Sequence, residues 1–236
     1  MIRQQILVEA ALDYRYLLDR GYPRSESLSI VSRRYKLSQI ERMALYRGVH
    51  RSAEVWSILT KLVNPRSTSL NTIVLDMYNT LITIVAALRG QPLILSDDCL
   101  VRDVRGSKLH PSDYPVLHDA MKLLAAEIAH MNPKHVVIVA ESQISHSAEQ
   151  AISLCREVES RGIACSKIVT PTVDSTILRL SHNANVVITT DTVIALKASQ
   201  LYPLTTLATR RAHIVPVIDF ATVLRSPCKP FVNNLV

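Results

Sequence analysis

The first fifty residues carry apolar positions at helical spacing. Between Arg3 and Asp19 they recur at steps of three and four, which predicts an amphipathic helix. A second helix is expected over residues 25–35. Ser38 and Glu41 stand in the spacing of a capping box, in which each side chain satisfies an exposed amide of the first helical turn, so a third helix should begin there. The pattern indicates a small, basic all-α domain of three helices, similar to a helix-turn-helix module.

Beyond residue 71 the pattern changes to short runs rich in Val and Ile, each followed by helical spacing. Such runs are typical of parallel strands covered by helices on both faces, so the sequence predicts an α/β fold with a parallel sheet. The runs lie at residues 72–76 (TIVLD), 92–95 (PLIL), 135–140 (HVVIVA), 166–170 (SKIVT), 185–190 (NVVITT) and 213–218 (HIVPVI).

The change of pattern suggests two domains. Residues 64–71 (NPRSTSLN) are polar and include a proline, so we expect a linker there. The all-α domain would then occupy residues 1–63 and the α/β domain residues 72–236. A length of 236 residues suits one domain of ordinary size with a smaller one attached.

Composition narrows the class of protein. Apolar residues make up 48% of the chain and charged ones 20%, which excludes a disordered chain. No run reaches the ~18 apolar residues of a membrane helix, and Glu9 interrupts the apolar start, so we expect a cytoplasmic protein with no membrane partner. The four cysteines form no CxxC pair and have no nearby histidine in a zinc-like spacing, which favours buried free thiols.

Positive charge is concentrated at the start of the chain. The net charge is +7, and residues 1–70 hold 12 Lys or Arg against 6 Asp or Glu, so +6 of it lies there. Either the helices bind a nucleic-acid backbone through this charge, or the charge is a solvated face of a helical cap. Tyr35, Tyr46 and Trp56 are expected in the core. The candidate phosphate-binding residues are Arg33, Arg34, Lys36, Arg42 and Arg47.

Acidic residues end several of the predicted strands. Asp76 ends TIVLD, Glu141 follows HVVIVA and Asp191 follows NVVITT, while Asp97 and Asp98 follow PLIL. Ligands of an open parallel sheet bind beyond the carboxyl ends of its strands. Converging carboxylates repel one another unless a cation or shared protons offset their charge. One such residue is often only a helix cap, but several together predict a metal site.

Two stretches of the chain resemble PIN-like nucleases. The run TIVLDMYNTL, with Asp76 and Asn79, is similar to their first motif and closest to the D-x-Y-N form of NYN ribonucleases. Asp174 opens a helix that leads into a strand followed by Thr189 and Asp191, which matches the family's order of Asp, helix, strand and T-x-D. The resemblance covers residues of about 72–220.

The resemblance implies a PIN-like fold and a Mg²⁺- or Mn²⁺-dependent nuclease, with RNA as the favoured substrate and cleavage within the strand favoured. Asp76 and Asp191 would bind the metal directly, and Asp174 would complete the site, so these three should lie close together. Asn79 and Thr189 would orient ligands or contact phosphate. The family's remaining acid fits Asp103 best; the alternatives are Asp98 and Asp97.

Two other functions stay open. The same first motif resembles the start of haloacid-dehalogenase-like hydrolases, in which Asp76 would be a nucleophile assisted by Ser142 and Lys167. The acid pair expected near their last motif is missing, and Asp174 would have no role. The second alternative is a non-catalytic nucleic-acid-binding module. A homodimer is compatible with each of these functions. If the basic helices are only a cap, the substrate path would follow Arg102, Arg105 and Lys108.

Overall fold

The structure is a computed structural model that describes residues 2–63, 72–105, 109–182 and 185–228. Its first elements are four helices. The three predicted helices are confirmed, and the fourth was not predicted. Ser38 caps the third helix as expected. Its hydroxyl accepts from the backbone amide of Glu41 at 3.4 Å, and the backbone amide of Ser38 donates to the Glu41 carboxylate at 2.8 Å. The predicted linker at 64–71 lies outside the described residues. The helices are α1 (Gln4–Asp19), α2 (Arg24–Arg34), α3 (Gln39–Gly48) and α4 (Ser52–Leu59).

A parallel five-stranded sheet forms the centre of the α/β part, as the sequence predicted. Its order is β5-β4-β1-β6-β7. In the middle of the sheet Val74 pairs with Val137 on one side and Val187 on the other. Its strands are β1 (Thr72–Asp76), β4 (His135–Glu141), β5 (Ala164–Thr170), β6 (Val186–Ile188) and β7 (Gln200–Leu201).

Helices cover both faces of this sheet. Successive side chains of a strand point to opposite faces, so neighbouring residues of β1 belong to different cores. The helices after β1 are α5 (Met77–Leu88), α6 (Tyr114–His130), α7 (Ser147–Glu159), α8 (Val173–Ser181), α9 (Thr192–Lys197), α10 (Leu204–Arg211) and α11 (Phe220–Val223). Ile73 and Leu75 belong to a core with α5, α6, α7 and α10, whereas Val74 belongs to a core with α4, α8 and α9. No helix in the described part of the chain is long and apolar enough to cross a membrane.

Two of the predicted strands belong to a different sheet. The runs PLIL and HIVPVI were expected in the parallel sheet, and this expectation is wrong. They supply β2 (Leu93–Leu95) and β8 (Ile218–Asp219), which with β3 (Val101–Asp103) form a three-stranded sheet of order β3-β2-β8. Strands of two or three residues leave too little pattern to indicate their partners. Asp97 and Asp98 consequently do not end a strand of the parallel sheet.

The helical region and the small sheet share one core. Leu7 of α1 and Leu45 of α3 are fully buried in the same cluster as Ile94 and Phe220. Gly48, at the end of α3, lets this helix pack directly against Phe220, because a Cβ at position 48 would lie 2.4 Å from the Phe220 ring. The two parts of the chain are therefore joined by apolar packing.

The expectation of free thiols is also wrong. Cys99 pairs with Cys228 and Cys155 pairs with Cys165, with Cα–Cα distances of 5.5 and 5.6 Å. The first pair is 129 positions apart, and the second joins α7 to β5. Neither pair forms a CxxC motif, so the sequence pattern did not indicate these disulfides.

Candidate metal site

The strand order of the parallel sheet reverses between β1 and β6, since the chain passes from β1 to β4 and β5 on one side and then to β6 and β7 on the other. Open α/β sheets bind ligands at such a position. Thr189, just after β6, donates its hydroxyl to Asp76 Oδ2 at 2.6 Å, and the Asp191 amide donates to that hydroxyl at 2.9 Å. The predicted T-x-D turn thus contacts the acid that ends β1.

Asp76 is almost completely buried, with 2% of its surface exposed. Burial raises the pKa of this carboxyl to about 6, and Asp191 contributes to the rise, although hydrogen bonds from Thr189 and Asn79 lower it. The Asn79 amide donates to Asp76 Oδ2 at 2.8 Å. Both residues predicted to orient ligands therefore hold this carboxylate.

A cavity of about 280 Å³, here called the Asp76 cavity, contains three of the acids at this edge: Asp76, Glu141 and Asp174. Glu141 ends β4, and Asp174 lies in the first turn of α8. Partial burial raises the pKa of Asp174, and the charges of Asp191 and Glu141 raise it further, against a lowering by Lys197. Asp191 therefore acts electrostatically on both Asp76 and Asp174.

Asp191 also has a local structural role. Its Oδ1 accepts from the amides of Val193 and Ile194 at 2.7 and 3.0 Å, which caps α9. One carboxylate oxygen can cap a helix while the other contacts a ligand. Capping and metal binding are thus compatible at this residue.

The donor set of the Asp76 cavity fits a hydrated Mg²⁺ or Mn²⁺. These ions prefer carboxylate oxygens, and Mg²⁺ usually keeps several waters and uses only one or two protein carboxylates. The described residues lining the cavity include no Lys or Arg to neutralise its acids. Among the described residues, Asp76, Asp174 and Asp191 do not form a group whose oxygens all lie within 4.8 Å of one another, so an ion in the cavity would contact at least one of them through water.

A tighter group of potential ligands lies elsewhere. In the described part of the chain, His50, Asp97 and Asp98 alone bring three metal-ligating atoms within 4.8 Å of one another. Arg15 pairs with Asp97, and Arg102 pairs with Asp98 at 2.6 Å. Because both buried carboxylates already have a cationic partner, this group does not fit a resident metal ion.

The structure does not bring the three candidates for the fourth acid to the Asp76 cavity. Asp98 accepts two hydrogen bonds from Arg102, at 2.7 and 2.6 Å. Burial raises the pKa of Asp98, but Arg102 outweighs it and holds the pKa at about 2. Asp103 is buried against Arg47 and Thr83, at 3.3 and 3.2 Å. The fourth acid near Asp76 is Glu141, which the sequence had placed only at the edge of the sheet.

A hydrogen-bond chain that the sequence did not indicate runs through His50. Its Nδ1 contacts Asp97 at 2.6 Å and its Nε2 contacts the Thr192 hydroxyl at 3.0 Å. In the tautomer that carries its proton on Nδ1, the ring donates to Asp97 and its Nε2 accepts from the Thr192 hydroxyl. His50 and Thr192 are 142 positions apart, so no local pattern could link them.

A second cavity, of about 230 Å³, lies between the helical region and the turn after β6. We call it the helix–sheet cleft. Its lining from the helical region comprises Arg24, Tyr46, Arg47 and Glu54; the rest comprises Arg102, Thr190, Asp191, Thr192, Val193 and Leu196.

The predicted phosphate-binding residues do not converge on this cleft. Arg47 lines it, but Arg34 pairs with Asp13 at 3.3 Å. Arg42 lines a neighbouring groove, which shares Tyr46 with the cleft. Arg33 donates to a backbone carbonyl of its own helix, and the carbonyl of Lys36 accepts from Arg3. Arg105 pairs with Asp113, and Lys108 lies outside the described residues.

Two aromatic residues expected in the core are exposed. Tyr46 is 46% exposed and Trp56 is 59% exposed. Each neighbours the residue that its helix buries, Leu45 in α3 and Val55 in α4, and therefore points to another face of that helix. Tyr35 is half-buried, and its hydroxyl donates to Asp13.

Comparison with known proteins gives a family but no activity. Residues 65–207, more than half of the chain, match the model described as Domain of unknown function (DUF5616), and residues 6–61 match Protein of unknown function (DUF434). An uncharacterized protein of Methanocaldococcus jannaschii, MJ0935, is 29% identical over 188 residues, which is 79% of this chain and 87% of the relative. No solved structure matches the chain.

Proposed function

The chain belongs to the family described as Domain of unknown function (DUF5616), and we propose that it is a metal-dependent ribonuclease with a PIN-like α/β domain. One observation carries the proposal. Asp76, Glu141 and Asp174 line a single cavity at the reversal of strand order, and the charge of Asp191 raises the pKa of both Asp76 and Asp174. Carboxylates that converge in this position, with no Lys or Arg among the described residues lining the cavity, favour a divalent cation.

The residues that would hold Mg²⁺ or Mn²⁺ are Asp76, Asp174 and Asp191, with Glu141 in place of the predicted Asp103. When bound, such an ion supplies a water of lowered pKa and positive charge beside a phosphate. Thr189 and Asn79 keep the Asp76 carboxylate in one orientation through their hydrogen bonds. This support resembles the outer contacts that orient ligands in metal sites.

The resemblance to NYN ribonucleases favours RNA as the substrate. The two alternatives have less support. Lys167 lies in the middle of β5 and is exposed, whereas a lysine assisting an Asp76 nucleophile should stand beside it. A non-catalytic binding module would give no role to the acids that converge on the Asp76 cavity.

The test is cleavage of a labelled single-stranded RNA with Mn²⁺ and with EDTA. Asp76→Asn and Asp174→Asn should each lower cleavage by roughly 100-fold or more, because each removes a charge that holds the ion. Asp119→Asn is the matched control, since Asp119 is exposed on α6, outside the lining of the cavity. Its cleavage rate should equal that of the unmodified protein.

Three results would contradict the proposal. Cleavage that survives EDTA or Asp76→Asn would remove the metal site from the reaction. Hydrolysis of small phosphate monoesters without RNA cleavage would favour the haloacid-dehalogenase-like alternative. RNA binding without cleavage in Mn²⁺ or Mg²⁺ would favour a non-catalytic module.

A further inference from the structure

We propose that the helix–sheet cleft is a binding site for single-stranded nucleic acid, with Tyr46 stacking on an unpaired base. This inference rests on the proposed function, because it gives the strand a path to the metal site. Asp191 lines the cleft, and its amide donates to the Thr189 hydroxyl, which in turn donates to Asp76. A strand lying in the cleft would therefore reach the acids of the Asp76 cavity.

The size of the cleft limits what it can enclose. At about 230 Å³ it is smaller than the ~300–1,000 Å³ of pockets that enclose whole small molecules. It suits part of a nucleotide, such as a phosphate and sugar, with the base lying outside on the rim. Tyr46 stands on that rim, with nearly half of its surface exposed.

Tyr46 has the surroundings of a stacking platform. The guanidinium of Arg24 lies 5.4 Å from the centre of its ring and donates to its backbone carbonyl at 2.7 Å. Proteins that bind single strands combine exposed aromatic rings with arginine in this way, because every base offers an apolar face. The ring is therefore a tolerant contact for an unpaired base.

The charges of the cleft explain why stacking must supply much of the affinity. Arg24, Arg47 and Arg102 line it together with two acids, Glu54 and Asp191. Arg47 and Arg102 are paired with Asp103 and Asp98, and Arg24 lies 3.7 Å from Glu54. The positive charge of the cleft is therefore largely neutralised, and it attracts phosphate only weakly. The bases of a duplex are stacked on one another and cannot stack on Tyr46, so a site that depends on stacking favours single strands.

Arg47 presents a partly exposed guanidinium to the cleft. Its side chain is 16% exposed, and its contact with Asp103 is long, at 3.3 Å. A guanidinium carries five N–H donors, so it can contact Asp103 and still donate to one phosphate.

The experiment measures binding of a labelled single-stranded RNA by fluorescence anisotropy in EDTA, where cleavage plays no part. Tyr46→Ala should weaken binding about 10-fold, because stacking on one ring contributes that order of affinity. Tyr46→Phe keeps the ring and should bind as the unmodified protein does. Tyr22→Ala is the matched control, since Tyr22 is 48% exposed but does not line the cleft.

Salt dependence separates stacking from charge. The loss caused by Tyr46→Ala should be the same at low and high salt, because a ring releases no counterions. Equal binding by Tyr46→Ala and the unmodified protein, an equal loss with Tyr22→Ala, or Tyr46-dependent binding of duplex RNA would overturn the inference. None of these binding results contradicts the ribonuclease proposal, which is tested separately by Mn²⁺-dependent cleavage.

Discussion

At the scale of single residues, Glu41 shows how a local signal can conceal a longer-range contact. The sequence predicted its role in capping α3. The structure adds Arg3, which donates to both carboxylate oxygens at 2.9 and 2.6 Å. Hydrogen bonding from Arg3, together with Ser38, outweighs burial and lowers the pKa of Glu41 from its ordinary value of 4.5 to about 2.

This pKa shift predicts a pH-dependent contribution to stability. A carboxyl whose pKa is lowered by folding stabilises the protein above its ordinary pKa, and the contribution is lost as the pH falls through the folded value. Glu41→Gln should reduce the free energy of unfolding by about 2 kcal/mol at pH 7, as expected for lost hydrogen bonds to a charged group. The difference should shrink between pH 4.5 and 2.

Urea unfolding at several pH values measures this difference. Glu26→Gln is the matched control, because Glu26 occupies the equivalent position of α2 and is exposed. The same loss at pH 3 and pH 7 for Glu41→Gln would contradict the explanation.

At the scale of elements, the sequence predicted strands where apolar runs were long enough to carry a pattern. β1 and β4 have five and seven residues and were identified with their terminal acids. β2 has three residues, and its partners come from residues 101–103 and 218–219, so its sheet could not be inferred locally. The misplacement of Asp97 and Asp98 follows from that limit.

The junction between α3 and the small sheet gives a prediction at this scale. Gly48→Ala would place a methyl group 2.4 Å from Phe220 and 2.9 Å from Ile94. Neither neighbour can move freely in a packed core, so the free energy of unfolding should fall by about 1–3 kcal/mol. Chemical denaturation measures the loss.

A second change at the same contact provides the control. Phe220→Ala removes the whole ring, including the two atoms nearest to Gly48. In the Gly48→Ala background it should therefore cost less than it costs alone. Additive losses would show that the effect of Gly48→Ala does not arise from this contact.

At the scale of the whole molecule, the helical region is packed too closely to be tested by removal. Without it, Ile94 and Phe220 would lose the apolar cover of α1 and α3. Neither this shared core nor the pairing of Arg47 with Asp103 could be predicted, because both depend on contacts between distant parts of the chain.

The shared core predicts that α1 and β2 open together. Native-state hydrogen exchange should give similar opening free energies for peptides containing Ala11 and Ile94, both fully buried in it. Rapid exchange in α1 while β2 stays protected would instead show that the helical region unfolds independently. Peptides from the exposed β5 are a reference for the parallel sheet.

The bridge between Cys99 and Cys228 has a consequence for folding under reducing conditions. It closes a loop of 129 positions, and in the chain-entropy model a cross-link of that span removes about 5 kcal/mol of freedom from the unfolded chain. Domains commonly have only ~5–15 kcal/mol of net stability. When the bridge is reduced, a substantial share of that stability is lost, so the fraction of folded protein depends on the thiol–disulfide balance around it.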